Sequence, residues 1–439
     1  MNPVVGIGIV LVALGGLLPG VKALQKHGRV KAETARKFVH LGMGTVCLSF
    51  PWLFSSVWPV WILAGLAGVA LGALRWVPLL RREVGGVLHD VNRASFGEIY
   101  FPLGVALVFT LSRGDPLLFA IPVALLTFAD AAGALVGQRW GRHKFATLEG
   151  QKSVEGSLAV GLMGLIGSSG PLLLAGHDWR ASLVIGAAIG LFSLMLEAIS
   201  WHGLDNIFLP LAAFAQVSAY LETPLNSLIV KLAVLLGLTV IALVWRRGQI
   251  VDDSARLGAT LALYFFWTVG GWTWLVAPLV LLASYVRLMP TVPGGVPRHN
   301  LVAIICVSSA GLVWSVAHAF IPHPQWLWFF TVGIATHQAL IAVVRFSQGR
   351  PQWSRGTWWA LGVVQAVGIQ GLAFYAVDQG TTVTPTVIAA GAACVALAAA
   401  GFVLCEERLQ LPQDLNVRWW KQGMAAVAAS GAGLLLTRL

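Results

Sequence analysis

Long apolar runs, separated by short polar segments, recur along almost the whole chain. Sixteen runs lie between Val4 and Leu436. Most approach the length of roughly 17–25 residues that a helix needs to cross a bilayer. Several are shorter, so we expect about 12–16 transmembrane helices. The runs are continuous rather than alternating, which favours helices over the strands of a membrane barrel. The pattern predicts an all-α polytopic integral membrane protein.

Composition agrees with this prediction. Of the 439 residues, 57% are hydrophobic and only 11% are charged, whereas soluble domains carry about 25% charged residues. The first run, Val4–Val21, has no basic residue before it, and Lys22 and Lys26 follow it. A cleaved signal peptide has the opposite order, so we interpret this run as the first membrane helix, with the N-terminus outside.

The basic residues are distributed unevenly between the loops. The formal net charge is +11, which alone would suggest a nucleic-acid partner. If all sixteen runs cross the membrane, however, 25 of the 29 Lys and Arg fall in loops on one side. The positive-inside rule places those loops in the cytoplasm. This accounts for the charge without nucleic acid and predicts a protein of a bacterial-type plasma membrane.

Polar residues divide the chain into two regions. Those inside or beside apolar runs are concentrated before about residue 210, whereas later runs are rich in Trp, Ala and Gly. His318 and His337 are exceptions that we interpret as packed core residues. We predict a membrane-embedded functional core over 1–250 and a second transmembrane region of unknown role over 251–439, with the boundary in Arg246–Arg256. The four cysteines lack metal-ligand spacing, which argues against a zinc site or a disulfide framework.

A short polar face precedes the second apolar run. Glu33, Arg36, Lys37 and His40 are spaced i, i+3, i+4 and i+7, so a helix places them on one face. One interpretation is a cytoplasmic anchor in which Glu33 pairs with Arg36 or Lys37. The other is a cationic face that binds phosphate and is oriented by Glu33.

Asp130 lies inside an apolar run. An acid at bilayer depth costs roughly 2.5–3.5 kcal/mol on insertion scales, so such residues usually face a polar cavity. Small residues follow on the same helix face, among them Gly137 and Gly141. They could pack helices together or allow close backbone approach to a nucleotide. We favour the second alternative.

The next apolar run begins with Lys-Ser-Val-Glu-Gly-Ser, after a basic loop over residues 138–151. Backbone N–H groups at a helix N-terminus suit phosphate oxygens. Lys152 adds a charge and Ser153 a hydroxyl, while Glu155 could bind a metal or orient Lys152. The alternative is an ordinary N-cap serine beside a solvated lysine. We include Lys144, Lys152, Ser153 and Gly156 among the nucleotide-binding candidates, and Lys152 and Glu155 among the catalytic ones.

Further acids follow. Glu197 lies in another apolar run, and Asp205 and Asn206 come shortly after it. Magnesium prefers one or two carboxylates together with phosphates and water, so Asp130, Asp205 and Asn206 are candidate ligands if their helices converge. Asp205 or Asn206 could instead cap the next helix. Glu98, at a membrane entrance, is a weaker candidate.

Together these segments resemble the CTP-dependent polyprenol kinases, a family that includes dolichol and phytol kinases. They are distantly similar to membrane phosphatidate cytidylyltransferases. The resemblance covers about residues 30–215 and rests on five motifs in the family's order: E-T-A-R-K-F-V-H (Glu33–His40), F-G-E-I-Y-F-P-L (Phe96–Leu103), F-A-D-A-A-G-A-L-V-G-Q-R-W-G-R-H-K (Phe128–Lys144), E-G-Q-K-S-V-E-G-S (Glu149–Ser157) and E-A-I-S-W-H-G-L-D-N-I-F-L-P (Glu197–Pro210).

The resemblance implies transfer of the γ-phosphate of CTP to the hydroxyl of an isoprenoid alcohol such as phytol or dolichol. The basic loop with Lys152 and Ser153 would hold the nucleotide, as would the face formed by Arg36, Lys37 and His40. A divalent cation, Mg²⁺ by its oxygen ligands, would lie near Asp130. Either Asp130 or Glu197 could take the hydroxyl proton. Because the alcohol lies in the lipid bilayer and CTP in the cytosol, the site is expected at the cytoplasmic face.

Two alternatives stay open at this stage. A cytidylyltransferase would join CMP to a lipid phosphate and release pyrophosphate. A membrane transporter would use Asp130 and Glu197 as an intramembrane carboxylate relay. The sequence carries no signal for the oligomeric state or for the choice of alcohol.

Overall fold

The chain is almost wholly helical wherever its structure is described. The computed structural model describes residues 2–26, 32–76, 97–147, 150–200, 203–244, 251–290, 299–379, 382–406, 409 and 415–436. Within them, nine helices are long and apolar enough to cross a membrane, and three more apolar helices have 10–17 residues. The predicted all-α polytopic membrane class is confirmed.

The chain forms two compact units, Met1–Gly237 and Leu238–Leu439. The structural division thus falls somewhat before the boundary expected at Arg246–Arg256, and the assignment of a functional core to the first region stays a prediction. The described elements of the first unit are α1 (Pro3–Lys26), α2 (Ala32–Leu48), α3 (Phe50–Leu53), α4 (Trp58–Trp76), α5 (Gly97–Ser112), α6 (Pro116–Ala124), a π-helical segment (Leu125–Ala129), α7 (Asp130–Trp140), β1 (Lys144–Thr147), β2 (Gly150–Ser153), α8 (Val154–Leu174), α9 (Trp179–Ile199), α10 (Asp205–Leu221) and α11 (Leu225–Val244), which runs across the boundary.

One continuous helical rod carries the intramembrane acid. Helix α6, the π segment and α7 form a single candidate span, Pro116–Trp140. The π segment ends at Ala129, immediately before Asp130. Such local widenings of a helix occur frequently at functional sites, because they shift the side chains that follow to a new face.

A β-hairpin replaces part of the expected loop. Strand β1 pairs with β2 in antiparallel register, with Lys144 opposite Ser153 and Phe145 opposite Lys152. The amide of Val154 then donates to the carbonyl oxygen of His143 at 2.9 Å. These bonds fix the backbone of Lys152 at the start of α8, where a loop would leave it free.

Close packing of two helices positions the acid on α9. Helices α8 and α9 are joined by a short turn, and a Cβ on Gly164 would lie 2.7 Å from the Cα of Gly190. Small residues therefore let the two backbones approach, as is common between membrane helices. Because the helices are antiparallel, the end of α9, with Glu197, lies beside the start of α8.

The second unit is built around one buried helix. Its described elements are α12 (Asp253–Gly270), a 3₁₀ turn (Trp272–Leu275), α13 (Val276–Arg287), α14 (Leu301–Phe320), α15 (Trp326–Gly349), α16 (Arg355–Asp378), α17 (Pro385–Cys405) and α18 (Leu415–Leu436). Helix α15 is buried along nearly its whole length, and it packs against α14, α16, α17 and α18.

Candidate active site

The polar face of α2 reaches the intramembrane acid. Lys37 Nζ donates to both carboxylate oxygens of Asp130, at 2.9 and 2.7 Å, and the two side chains are only 6% and 15% exposed. His40 Nε2 lies 2.8 Å from the carbonyl oxygen of Leu126 and 3.4 Å from Asp130 Oδ2. Because a carbonyl oxygen only accepts, His40 carries a proton on Nε2. This face therefore does more than anchor the helix at the membrane surface.

A second lysine–carboxylate pair lies at the start of α8. Lys152 Nζ is 2.7 Å from Glu197 Oε1 and 2.6 Å from Ser200 Oγ, and it also donates to the main-chain carbonyl oxygen of Glu197. Both side chains of the pair are less than one-fifth exposed. Lys152 is therefore not the solvated lysine of the alternative interpretation. Ser200 was not among the predicted site residues, although its spacing of three from Glu197 is the signal that could have found it.

Three carboxylates converge between these pairs. Oxygens of Asp130, Glu197 and Asp205 all lie within 4.8 Å of one another, and all three residues are partly buried. They come from three separate positions in the fold: the start of α7, the end of α9 and the first residue of α10. An all-oxygen donor set of this kind suits a hard divalent cation such as Mg²⁺.

Asp205 is the acid of the cluster without a lysine of its own. Within the described residues no cation lies at ion-pairing distance from it. Asp205 opens α10, outside the candidate membrane spans. Burial first, and then the carboxylates of Glu197 and Asp130, raise the pKa of Asp205 to about 7. A bound cation would relieve this repulsion, so the residues present fit a metal ion.

The other predicted ligand has a different contact. The Asn206 side-chain nitrogen donates to the carbonyl oxygen of Gly203 at 3.1 Å, and the side chain is buried. This bond holds the turn from which Asp205 projects. A metal-binding role for Asn206 stays a prediction, while Glu197, which we expected to be a catalytic acid, lies in the carboxylate cluster.

The glycines between α7 and α8 pack the two helices together. A Cβ on Gly141 would lie 2.7 Å from Ser153 Oγ, and a Cβ on Gly156 would lie 2.8 Å from the carbonyl oxygen of Gly133 and 3.2 Å from the Cα of Gly137. These contacts correspond to the helix-packing alternative. The nucleotide-binding role of Gly137, Gly141 and Gly156 stays a prediction.

Ser153 and Glu155 have structural partners at the start of α8. Ser153 Oγ accepts from the amide of Gly156 at 3.2 Å, so it caps the helix. Glu155 Oε1 lies 2.7 Å from His143 Nδ1 and also accepts from its amide. Glu155 therefore holds the hairpin against α8 and does not contact Lys152 directly.

Four predicted site residues remain: Lys144, Arg36, Glu33 and Glu98. Lys144 lies exposed on β1, and Arg36 lies half-buried on α2, where it has contacts of its own. Glu33 and Glu98 belong to helices α2 and α5, but their side chains lie outside the described residues.

Known proteins with similar sequences identify the family. A phytol kinase of Synechocystis sp. is 32% identical over 223 residues, which are 49% of this chain and 93% of that protein. The chain belongs to the phytol kinase family. A probable chloroplastic phytol kinase 2 of Oryza sativa subsp. japonica is 26% identical over 217 residues, which are 45% of this chain and 69% of that protein. No family model matches the sequence, and no solved structure matches it significantly.

The net charge of this site favours binding of a divalent cation first and of an anion afterwards. With His40 counted as neutral, the two ammonium groups of Lys37 and Lys152 face three carboxylates, so the cluster carries one net negative charge when all three carboxylates are ionised. A divalent cation would make it positive. The site would then attract a phosphate chain.

Proposed function

We propose that this chain is a prenol kinase that transfers the γ-phosphate of CTP to the hydroxyl of an isoprenoid alcohol such as phytol. The observation that carries the proposal is the cluster of Asp130, Glu197 and Asp205, flanked by Lys37 and Lys152. The similarity to phytol kinases supports the alcohol acceptor. The motif resemblance to CTP-dependent kinases supports CTP as the donor.

The chemistry needs positioning and charge neutralisation more than covalent catalysis. Asp130, Glu197 and Asp205 would hold Mg²⁺, which when bound neutralises charge on the transferred phosphoryl group. Lys37 and Lys152 would bind the phosphate oxygens. The alcohol oxygen forms a bond to the γ-phosphorus while the bond from that phosphorus to the β–γ bridging oxygen breaks, and CDP leaves.

A carboxylate of the cluster would accept the hydroxyl proton. Glu197 and Asp130 each have a lysine partner, whereas Asp205 has none within the described residues. In the metal-free site the pKa of Asp205 is raised to about 7, and a cation bound to its oxygens would lower it. The ground for the assignment is therefore the lack of a lysine partner within the described residues. We therefore add Asp205 to the two candidates for the base.

The position of the cluster suits a water-soluble donor and a lipid acceptor. Glu197 and Asp205 lie at helix ends, and Lys152 lies on β2 just before α8. All three are on the side that the distribution of Lys and Arg predicts to be cytoplasmic. Asp130 lies inside the candidate membrane span Pro116–Trp140. An alcohol held in the bilayer would thus meet the nucleotide at this boundary.

The test is a transfer assay with the purified full-length protein. Phytol, geranylgeraniol and dolichol are each offered with CTP, ATP, GTP or UTP labelled at the γ-phosphate. We expect label in the lipid product, most rapidly with CTP, and its loss with Glu197→Gln. Glu222→Gln, an exposed acid at the far end of α10, is the matched control and should keep full activity.

Other outcomes contradict the proposal in distinct ways. Label released as pyrophosphate in the presence of a lipid phosphate would identify a cytidylyltransferase. An absence of nucleotide binding, with ion movement across proteoliposomes, would favour a transporter.

A further inference from the structure

The second unit contains a buried arginine that has no counter-ion among the described residues. Arg345, in the last turns of α15, is 9% exposed. Its guanidinium lies over the ring of Tyr285, 5.2 Å from the ring centre. Its Nε and Nη1 atoms are buried and have no hydrogen-bond partner. Unpaired donors on a buried cation are costly, so this arrangement calls for an anionic partner.

A second open donor lies beside Arg345. The hydroxyl of Tyr285 is 2.6 Å from His299 Nε2, and the His299 ring packs edge-on against Trp419 at 5.3 Å. His299 lies outside the helices, and burial first, then Arg345, lowers its pKa to about 4. The imidazole is therefore neutral at pH 7. Because a phenol is the stronger acid, Tyr285 donates to Nε2, and the imidazole proton stays on Nδ1, which is buried and has no partner.

Three described carboxylates of the second unit already have partners of their own. Glu406 pairs with Lys421 at 2.7 Å, and Asp253 pairs with Arg256 at 3.2 Å. Asp252, whose amide donates to the carbonyl oxygen of His299, uses its carboxylate to cap α12. Within the described part of the chain, none of these acids pairs with Arg345.

The surroundings are apolar on one side. Met289, Ile341 and Ala342 form a small buried cluster, against which Tyr285 and Trp419 pack. Charge-assisted hydrogen bonds gain strength in surroundings of low dielectric. Tyr285 and His299 are partly exposed, so a ligand can reach this cluster.

We infer that Arg345, His299 and Tyr285 form a binding site for a phosphate group in the second unit. The guanidinium offers two open donors of one planar fork, which matches phosphate oxygens. The Nδ1–H of His299 offers a third donor, and a tetrahedral phosphate has enough oxygens to accept from both residues. This site lies outside the machinery of the proposed function and does not depend on it.

The phosphate could belong to a lipid or be free in solution, and the experiment separates these sources. The full-length protein is titrated calorimetrically in detergent with inorganic phosphate and, separately, with farnesyl monophosphate. EDTA is present throughout, so that the carboxylate cluster of the first unit holds no cation and repels both probes. We expect saturable binding of one phosphate group per chain. Tighter binding of farnesyl monophosphate would assign a lipid source, and equal affinities a free phosphate.

Matched variants tie this binding to the cluster. Arg345→Gln should weaken binding about tenfold or more, because two charge-assisted hydrogen bonds are lost. Arg345→Lys should recover part of the affinity, since the charge remains without the fork. Tyr285→Phe should weaken binding several-fold and removes only a hydroxyl, so it serves if Arg345→Gln does not fold. Arg350→Gln, at an exposed arginine just beyond α15, should have no effect.

Three results would overturn the inference. They are the absence of saturable binding by both probes, an unchanged affinity in Arg345→Gln and Tyr285→Phe, and an equal loss of affinity in Arg350→Gln. The last would indicate a diffuse basic surface. Loss of kinase activity in any Glu197 variant leaves these expectations unchanged, so the two proposals can fail separately.

Discussion

Substitution of Asp205 by Asn should raise the stability of the metal-free protein while it removes the activity. Oxygens of Asp205, Glu197 and Asp130 lie within 4.8 Å of one another. At that distance and an effective dielectric constant of about 20, two like unit charges repel by about 3.5 kcal/mol. The rise in the pKa of Asp205 from 3.8 to about 7 corresponds to about 4 kcal/mol. The second figure includes burial, which is the larger cause of the shift, as well as this repulsion, so about 4 kcal/mol is an upper bound on the gain from Asp205→Asn.

The gain should depend on pH with a definite sign. A raised pKa means that the folded state holds the carboxyl proton more tightly than the unfolded state does. The contribution of Asp205 to the stability of the wild-type protein should therefore be most favourable below about pH 4, fall as the pH rises towards about 7, and change little above that. Asn cannot ionise, so the stabilisation by Asp205→Asn should be largest at pH 7–8 and small at pH 4.

The assay is the thermal midpoint of the purified protein in EDTA and in Mg²⁺, at several pH values. In EDTA at pH 8, Asp205→Asn should unfold several degrees above the wild type. Mg²⁺ should raise the midpoint of the wild type more than that of the variant, and Glu222→Gln should behave as the wild type in both buffers. A lower midpoint for Asp205→Asn in EDTA, or kinase activity retained by it, would refute the reasoning.

Three further predictions concern the pairs and the packing around this cluster. Lys152→Ala should reduce kinase activity about 100-fold or more, because a positioned charge on the phosphates is lost, and steady-state rates measure it. Lys37→Met should lower the stability by about 3–5 kcal/mol by leaving a buried carboxylate unpaired, and the added change Asp130→Asn should restore much of it in thermal unfolding. Gly141→Ala should destabilise by about 1–3 kcal/mol, since its Cβ would press first on the carbonyl oxygen of Gly137 and then on Ser153 Oγ. By contrast, Gly170→Ala, where nothing lies within 4 Å, should be neutral or slightly stabilising in the same measurement.

Hydropathy was sufficient for the class of fold, because every backbone polar group in lipid must be hydrogen-bonded within the protein, and long continuous apolar runs achieve this as helices. It was not sufficient for local departures from the α-helix. The segment Leu125–Ala129 lies within a continuous apolar run, yet its backbone is π-helical. Hydropathy does not reveal this, because a change in the hydrogen-bond register of a helix leaves its hydrophobicity unchanged. The strands Lys144–Thr147 and Gly150–Ser153 lie in a polar stretch whose composition predicts only a loop.

For the candidate site, spacing predicted the faces but not the partners. The i, i+3, i+4, i+7 pattern placed Lys37 and His40 together, and the structure directs both to Asp130. Lys37 and Asp130 are 93 positions apart in the chain, and no periodicity in the sequence between them could have paired them. Glu155 illustrates the opposite case: its closeness in sequence to Lys152 suggested a contact, whereas the antiparallel hairpin brings His143 to Glu155 instead.

The way in which the two lysines are held indicates how the site would respond to its ligands. Each ammonium group now neutralises a carboxylate of the cluster. A divalent cation on the same oxygens would make those lysine contacts unfavourable, since like charges would then meet across a few ångströms. The phosphates that accompany the cation offer the lysines new anionic partners. We therefore expect Lys37 and Lys152 to exchange carboxylate oxygens for phosphate oxygens when metal and nucleotide bind together. Metal alone or nucleotide alone should bind more weakly than the pair, because neither completes the exchange of charges.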